Sequence, residues 1–179
     1  MKQLTFGFII FFFFLLSFSS TNAQEATLSA TPTITPAVVY DLAYPGLLPD
    51  HPLYFFKVIR DKVVSSLIND PVKRAEFNLL TSDKRFNAAI SLVEKKKYEK
   101  ALDTLSKSNN YLHDSIVSLE KAKSMDRDIV SLKDKEGTAV DKRLEITEGL
   151  LTGIPQDHQN TLKQEVARIK KLDDRLNAL

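Results

Sequence analysis

Between Pro71 and Pro155 the chain carries no proline, and through much of that span large apolar residues return every seven positions. Val72, Leu79, Phe86 and Val93 form one series, with the small residues Ala75, Ser82 and Ala89 between them. Tyr98, Leu105, Leu112 and Leu119 form the next, accompanied by Leu102 and Ile116. Seven residues are close to two turns of an α-helix, so each series is a stripe along one side of a helix. Lys95, Lys96 and Lys97 separate the two as a solvated corner, where cations suit a helix C-terminus. The pattern predicts two long antiparallel neighbours, the small residues of the first facing the leucines of the second. Strand-like alternation is absent from the sequence. The expected fold class is all-α, an antiparallel bundle of about five helices preceded by a signal peptide and a disordered linker.

The remaining helices follow from caps and breakers. Asp50 is placed to cap a helix with His51 and Pro52 in its first turn, and Leu53, Phe56, Ile59, Val63 and Leu67 supply its apolar stripe. Asp70 and Pro71 then stop that helix and start the next, as N-cap and first helical residue. Further on, Met125, Ile129 and Leu132, then Val140, Leu144 and Leu151, keep helical spacing. The polar residues 133–137, ending in Gly137, predict a frayed or kinked middle for that helix. Gly153 and Pro155 close it and open the last, which carries Leu162, Val166, Ile169, Leu172 and Leu176.

Ahead of this body the composition changes abruptly. Lys2 is followed by an uncharged apolar or small stretch over residues 4–18, then by Ser19, Ser20, Thr21, Asn22 and Ala23. A charged start, an apolar run of about 15 residues and a small-residue exit fit a secretory signal better than a membrane span of about 20. The expectation is a signal peptide over residues 1–23, cleaved after Ala23. The alternative is an uncleaved anchor over residues 4–20. Residues 24–39, rich in Ser, Thr, Ala and Pro, read as a disordered linker, and residues 40–179 as one helical domain. The chain has no cysteine, which removes a lipoprotein anchor, disulfides and thiolate metal sites together. Its formal charge of +2 offers no strong field for nucleic acid.

The chain offers little recognisable chemistry. His51, His113 and His158 are the only histidines, and none has the spaced partners of a helical metal site. There is no G-x-S-x-G elbow, and five scattered glycines cannot build a phosphate loop. Asp83, Glu94 and Asp103, flanked by Lys or Arg, read as solvated helix faces, with the alternative that Asp83 and its basic neighbours form a partner patch. Residues 95–108 carry a faint tetratricopeptide flavour without a second copy at the required period. No catalytic residue, metal ligand or cofactor is expected, and no enzyme activity. The expected partner is an envelope protein or wall polymer, with membrane contact only through an uncleaved N-terminal segment.

The distinctive text is YPGLLPDHPLYFFKVIRDKV, residues 44–63. It resembles the opening motif of a bacterial family of exported proteins that carry a helical domain of unknown function. Pro45, Gly46, Pro49, Pro52, Tyr54 and Lys57 match that motif, and Ala75, Asp83, Arg85, Ala88 and Ala89 resemble its second element. The resemblance implies export and a helical fold and names no activity. Tyr44, Pro45, Gly46, Pro49, His51, Pro52 and Tyr54 are the candidate site, read either as a structural cap over the bundle or as a docking surface. The expected function is that of an exported, non-enzymatic helical scaffold or interaction module. The alternatives are a small envelope hydrolase or metal-dependent factor recruiting His51 or His113, and a membrane-tethered sensor.

Overall fold

The structure is a computed structural model that describes residues 38–179. The expected signal peptide and nearly all of the expected linker lie outside the described residues. Those described contain five helices and no strand: α1 Tyr54–Leu67, α2 Pro71–Glu94, α3 Tyr98–Ser124, α4 Val130–Leu150 and α5 Gln156–Asn177. The class read from the seven-residue step is therefore the class observed.

α2 starts as its sequence dictates. Pro71 occupies the first turn and the Asp70 carboxylate accepts the Lys73 N–H at 3.0 Å. That bond holds the Asp70 carboxyl below its ordinary value. α2 and α3 then form an antiparallel hairpin whose register is written in hydroxyl bonds. Ser82 Oγ donates to the Ser108 carbonyl and Ser108 Oγ to the Ser82 carbonyl, both at 2.8 Å. Seven residues back along α2 and seven forward along α3, Ser115 Oγ donates to the Ala75 carbonyl at 2.7 Å. A serine hydroxyl reaches a neighbouring helix's carbonyl only where the two backbones come close, as small residues on both helices allow. The expectation of small residues facing leucines is corrected here: small faces small, and Leu105, Leu112 and Leu119 pack beside that seam in the core.

Both helices of this hairpin end in the same way. Lys96 (φ +57°) and Asp126 (φ +53°) adopt the left-handed conformation. The Lys97 N–H bonds the Leu92 carbonyl at 2.9 Å and the Lys96 N–H that of Val93 at 2.8 Å. Arg127 and Asp126 repeat the pair on Ala122 and Lys123 at 3.1 and 3.0 Å. Each is a Schellman closure that satisfies the last carbonyls. The second closure corrects the sequence reading of residues 125–152. Asp126 ends α3 and turns the chain, so α4 begins only at Val130 and then runs unbroken through residues 133–137 to Leu150. The polar stretch does not fray, because Glu136 within it faces the core rather than water.

α5 runs parallel to α3 along a seam of polar contacts. Glu165 accepts from Asn109 at 2.7 Å, and Arg175 grips Glu120 at 2.5 and 2.6 Å, which holds the Glu120 carboxyl low. Two apolar clusters fill the bundle of α2 to α5. One is centred on Leu79, Leu112, Ile116, Leu119, Val140 and Ile169, the other on Phe86, Leu102, Leu105, Ile154 and Leu162. Burying such side chains contributes about 1.5–3 kcal/mol each. α1 alone contributes no buried residue.

Candidate functional site

The chain ahead of α1 lies extended along α2 and α4. Val38 accepts Lys142 Nζ on its carbonyl at 2.9 Å and donates its N–H to Glu145 at 3.1 Å. Tyr40 Oη donates to Asp83 Oδ2 at 2.6 Å, and Asn87 Nδ2 donates to the Ala43 carbonyl at 3.2 Å. Asp50 then meets Lys97 at 2.7 Å and Lys95 at 3.5 Å. Asp50 is thus not the N-cap of α1, as its spacing suggests. The Lys97 ammonium occupies it and holds its carboxyl below the ordinary range. Residues 51–53 form a separate turn in which His51 Nδ1 accepts the Leu53 N–H at 3.1 Å, and α1 starts at Tyr54 with no side-chain cap.

Within this segment the candidate residues part company. Pro45 is buried, while Tyr44 is 82% exposed. Gly46 sits at φ +64°, which favours glycine on conformation alone. The loop is tied to α1 by Lys57, whose ammonium donates to the Pro45 carbonyl at 2.5 Å and to that of Leu47 at 3.3 Å. Partial burial pulls that ammonium below its ordinary pKa. Tyr54 is half-buried, its hydroxyl accepting from Arg85 Nη1 at 2.9 Å and its ring facing Lys57 and Arg85. Arg85 in turn lies 4.8 Å from the Tyr111 ring centroid. Pro49 is half-buried, whereas His51 and Pro52 face solvent. The motif thus anchors the loop through Pro45, Tyr54 and Lys57 and leaves Tyr44, Leu47 and Leu53 outside.

α1 itself is turned the wrong way for a core helix. Its half-buried side consists of Tyr54, Lys57, Val58, Asp61 and Ser65. The opposite side carries Phe55, Phe56, Ile59, Val63 and Leu67, all between 44 and 74% exposed. Four of the five residues expected to form the buried stripe of this helix, together with Leu53 just ahead of it, therefore face outward. The physical reason is the footing beneath the helix. The neighbouring surface of α2 and α3 is mostly polar, an open groove of about 630 Å³ to which they contribute Arg74, Asn78, Asn110, Asp114 and Ser118. Tyr111 and Val117 are its only apolar footing for α1.

Beneath Tyr40 lies a second grouping that charge patterning conceals. Asp83, read from its neighbours as a solvated carboxylate, is buried, and its Oδ1 accepts Arg143 Nη2 at 2.9 Å. Arg143 is wholly enclosed, donates to Ser108 Oγ at 2.8 Å and stacks 4.7 Å from the Phe86 centroid. Burial draws the Arg143 guanidinium below its usual pKa, and Asp83 opposes that shift. Burial and the Asp83 carboxylate together raise the Tyr40 phenol. Glu136 is buried beside Ser115, and desolvation pushes its carboxyl up to about 8. The Ser115 hydroxyl, which faces both the Ala75 carbonyl and Glu136 Oε1, opposes that rise as a donor to the carboxylate. Asp83, Arg143 and Glu136 are buried, and several surface clefts are lined by other residues. Its signal in the sequence is faint: Glu136, Ala139, Val140, Arg143 and Thr147 share one helical face, and two of the five are charged.

The histidines are dispersed. His113 Nε2 lies 3.0 Å from Arg175, and His158 packs against the Tyr98 ring. Among the described residues no three histidine or carboxylate side chains gather as metal ligands.

No curated protein and no solved structure matches this chain. One family model does, over residues 46–178, from Gly46 of the loop motif through all five helices. The chain therefore belongs to the DUF5667 family, whose description is a domain of unknown function.

Proposed function

We propose that this protein is an exported, non-enzymatic interaction module whose binding element is α1. The observation that carries the reading is the outward apolar face of that helix. The bundle of α2 to α5 fills its core without it, so nothing in the fold requires five large apolar side chains to stand in solvent. Monomeric domains seldom keep a contiguous apolar patch of several hundred Å² unless something covers it. The loop motif supports the same reading as a mount. Pro45, Lys57 and Tyr54 fix the start of α1 on Arg85, and Arg74 holds its end by donating to the Ile68 carbonyl. Export rests on the leading residues 1–23 of the sequence.

The test is a paired substitution on the outward face, Ile59→Asp with Val63→Asp, in the full chain. The unfolding midpoint should stay unchanged while retention of the chain in the envelope fraction is lost. Retention unaffected by the pair, or turnover of an envelope substrate that one point change elsewhere abolishes, overturns the reading. N-terminal sequencing of the same fraction decides the export route. A chain beginning at Gln24 removes the tethered alternative.

A further inference from the structure

We infer that α1 docks on an anionic lipid surface, lying in the plane of the headgroups with Phe55, Phe56, Ile59, Val63 and Leu67 inserted. This rests on the interaction-module reading and names its partner. Three features of the helix select lipid.

The first is where the charges stand. α1 carries three cations and one carboxylate. The carboxylate, Asp61, is turned towards the body of the protein with 15% of its side chain exposed. By helical spacing Lys62, at the rim of the groove beneath the helix, and Arg60 flank the apolar face on either side, and both are exposed. Lys62 has no ion-pair partner among the described residues. Arg60 spends two donors on one oxygen of Asp61 and keeps its side chain 67% exposed. An apolar face bordered by cations, with the acid on the far side, is the charge distribution of a helix that rests among anionic headgroups.

The second is shape and extent. The face is a convex ridge whose exposed apolar surface is on the order of 500 Å². A stable dimer needs about 800 Å² per partner and a complementary surface. A bilayer requires neither, because its acyl chains conform to a ridge.

The third is length. Fourteen residues extend about 21 Å, short of the ~30 Å of a hydrocarbon core. No helix among the described residues is long and apolar enough to cross a membrane. The geometry therefore points to a helix lying on the membrane, distinct from any contact made by an uncleaved residue 4–20 segment.

The chain has no tryptophan, so Phe56→Trp gives a single reporter on the face in question. The full chain carrying F56W is titrated with vesicles of phosphatidylglycerol and, separately, of phosphatidylcholine. The reporter is local, so binding through the N-terminal apolar run does not shift it. A blue shift with phosphatidylglycerol, lost in I59D/V63D and weakened roughly tenfold to thirtyfold in R60Q/K62Q, is the expected result. An equal response to both lipids overturns the headgroup recognition. No response to either lipid, with a shift that grows with protein concentration, overturns the lipid partner in favour of self-association and leaves the module reading standing. No shift under any of these conditions overturns the lipid inference. If I59D/V63D also leaves envelope retention intact, the module reading falls with it.

Discussion

Arg143 of α4 and Asp83 of α2 meet at 2.9 Å inside the bundle, each more than nine-tenths shielded from solvent. Their pairing fixes one turn of α4 against one turn of α2; Tyr40 donates to the second Asp83 oxygen and Ser108 accepts from Arg143, which leaves Arg143 Nε buried without a partner. A buried pair of this kind adds little net stability against an apolar replacement, but breaking one half of it is costly. Asp83→Asn should therefore lower stability by about 3–5 kcal/mol, measured by denaturant unfolding. Replacing both partners, as in D83L/R143M, should recover much of that loss. A D83N chain with an unchanged midpoint would contradict the buried pairing.

Glu136 makes stability depend on pH. Its carboxyl is raised to about 8 in the folded chain, from 4.5 for the unperturbed group. Between those values the folded chain keeps a proton that the unfolded chain has released. The contribution is full below about pH 4.5, declines as pH rises and is gone above about pH 8. Its size is on the order of 5 kcal/mol over the whole window. Asp50, Asp70 and Glu120 are shifted the other way, and their contributions are lost only on acidification. Unfolding across pH 5 to 8 should thus show a decline that Glu136→Gln flattens. An equal decline in E136Q would assign it elsewhere.

Gly137 lies in the middle of α4, and a Cβ built there meets nothing within 4 Å. With ordinary helical backbone and free space, Gly137→Ala should stabilise the chain by about 0.5–1 kcal/mol. The measurement is thermal unfolding. A kinked helix at this position would instead respond with a loss.

Lys96 holds a left-handed conformation that a Cβ disfavours, at the C-terminus of α2. Lys96→Gly should raise stability by about 1 kcal/mol, since the Schellman bonds remain. A decrease in midpoint would show that the lysine side chain matters more than its backbone strain.

Tyr54 separates the two readings of the loop motif. It is half-buried against Arg85 and Lys57, so Tyr54→Ala should cost roughly 1–2 kcal/mol, less than the 3–5 of a fully enclosed aromatic. Thermal unfolding of the full chain without any partner is the measurement. An unchanged midpoint would move the motif from structural mount to docking surface, onto Pro45, Gly46 and Pro49.

The sequence alone determined the helical class, the α2–α3 hairpin with its core leucines, and the start of α2 at Asp70 and Pro71. Each depends on short-range physics: a stripe spaced along one helix, or a cap within one turn. What a helix packs against is not local, and there the structure decided. The spacing of Phe56, Ile59, Val63 and Leu67 gave α1 an apolar side, but only the polar surface of α2 and α3 turned that side to solvent. Asp83, between Ser82 and Lys84, reads as a surface charge until Arg143, sixty residues away, supplies the partner that permits burial. Glu136 was hidden by its polar neighbours for the same reason. Desolvating a charge is prohibitive in isolation; a distant side chain can neutralise it, as Arg143 does for Asp83, or burial can keep a proton on it, as for Glu136, and both exist only in the folded chain.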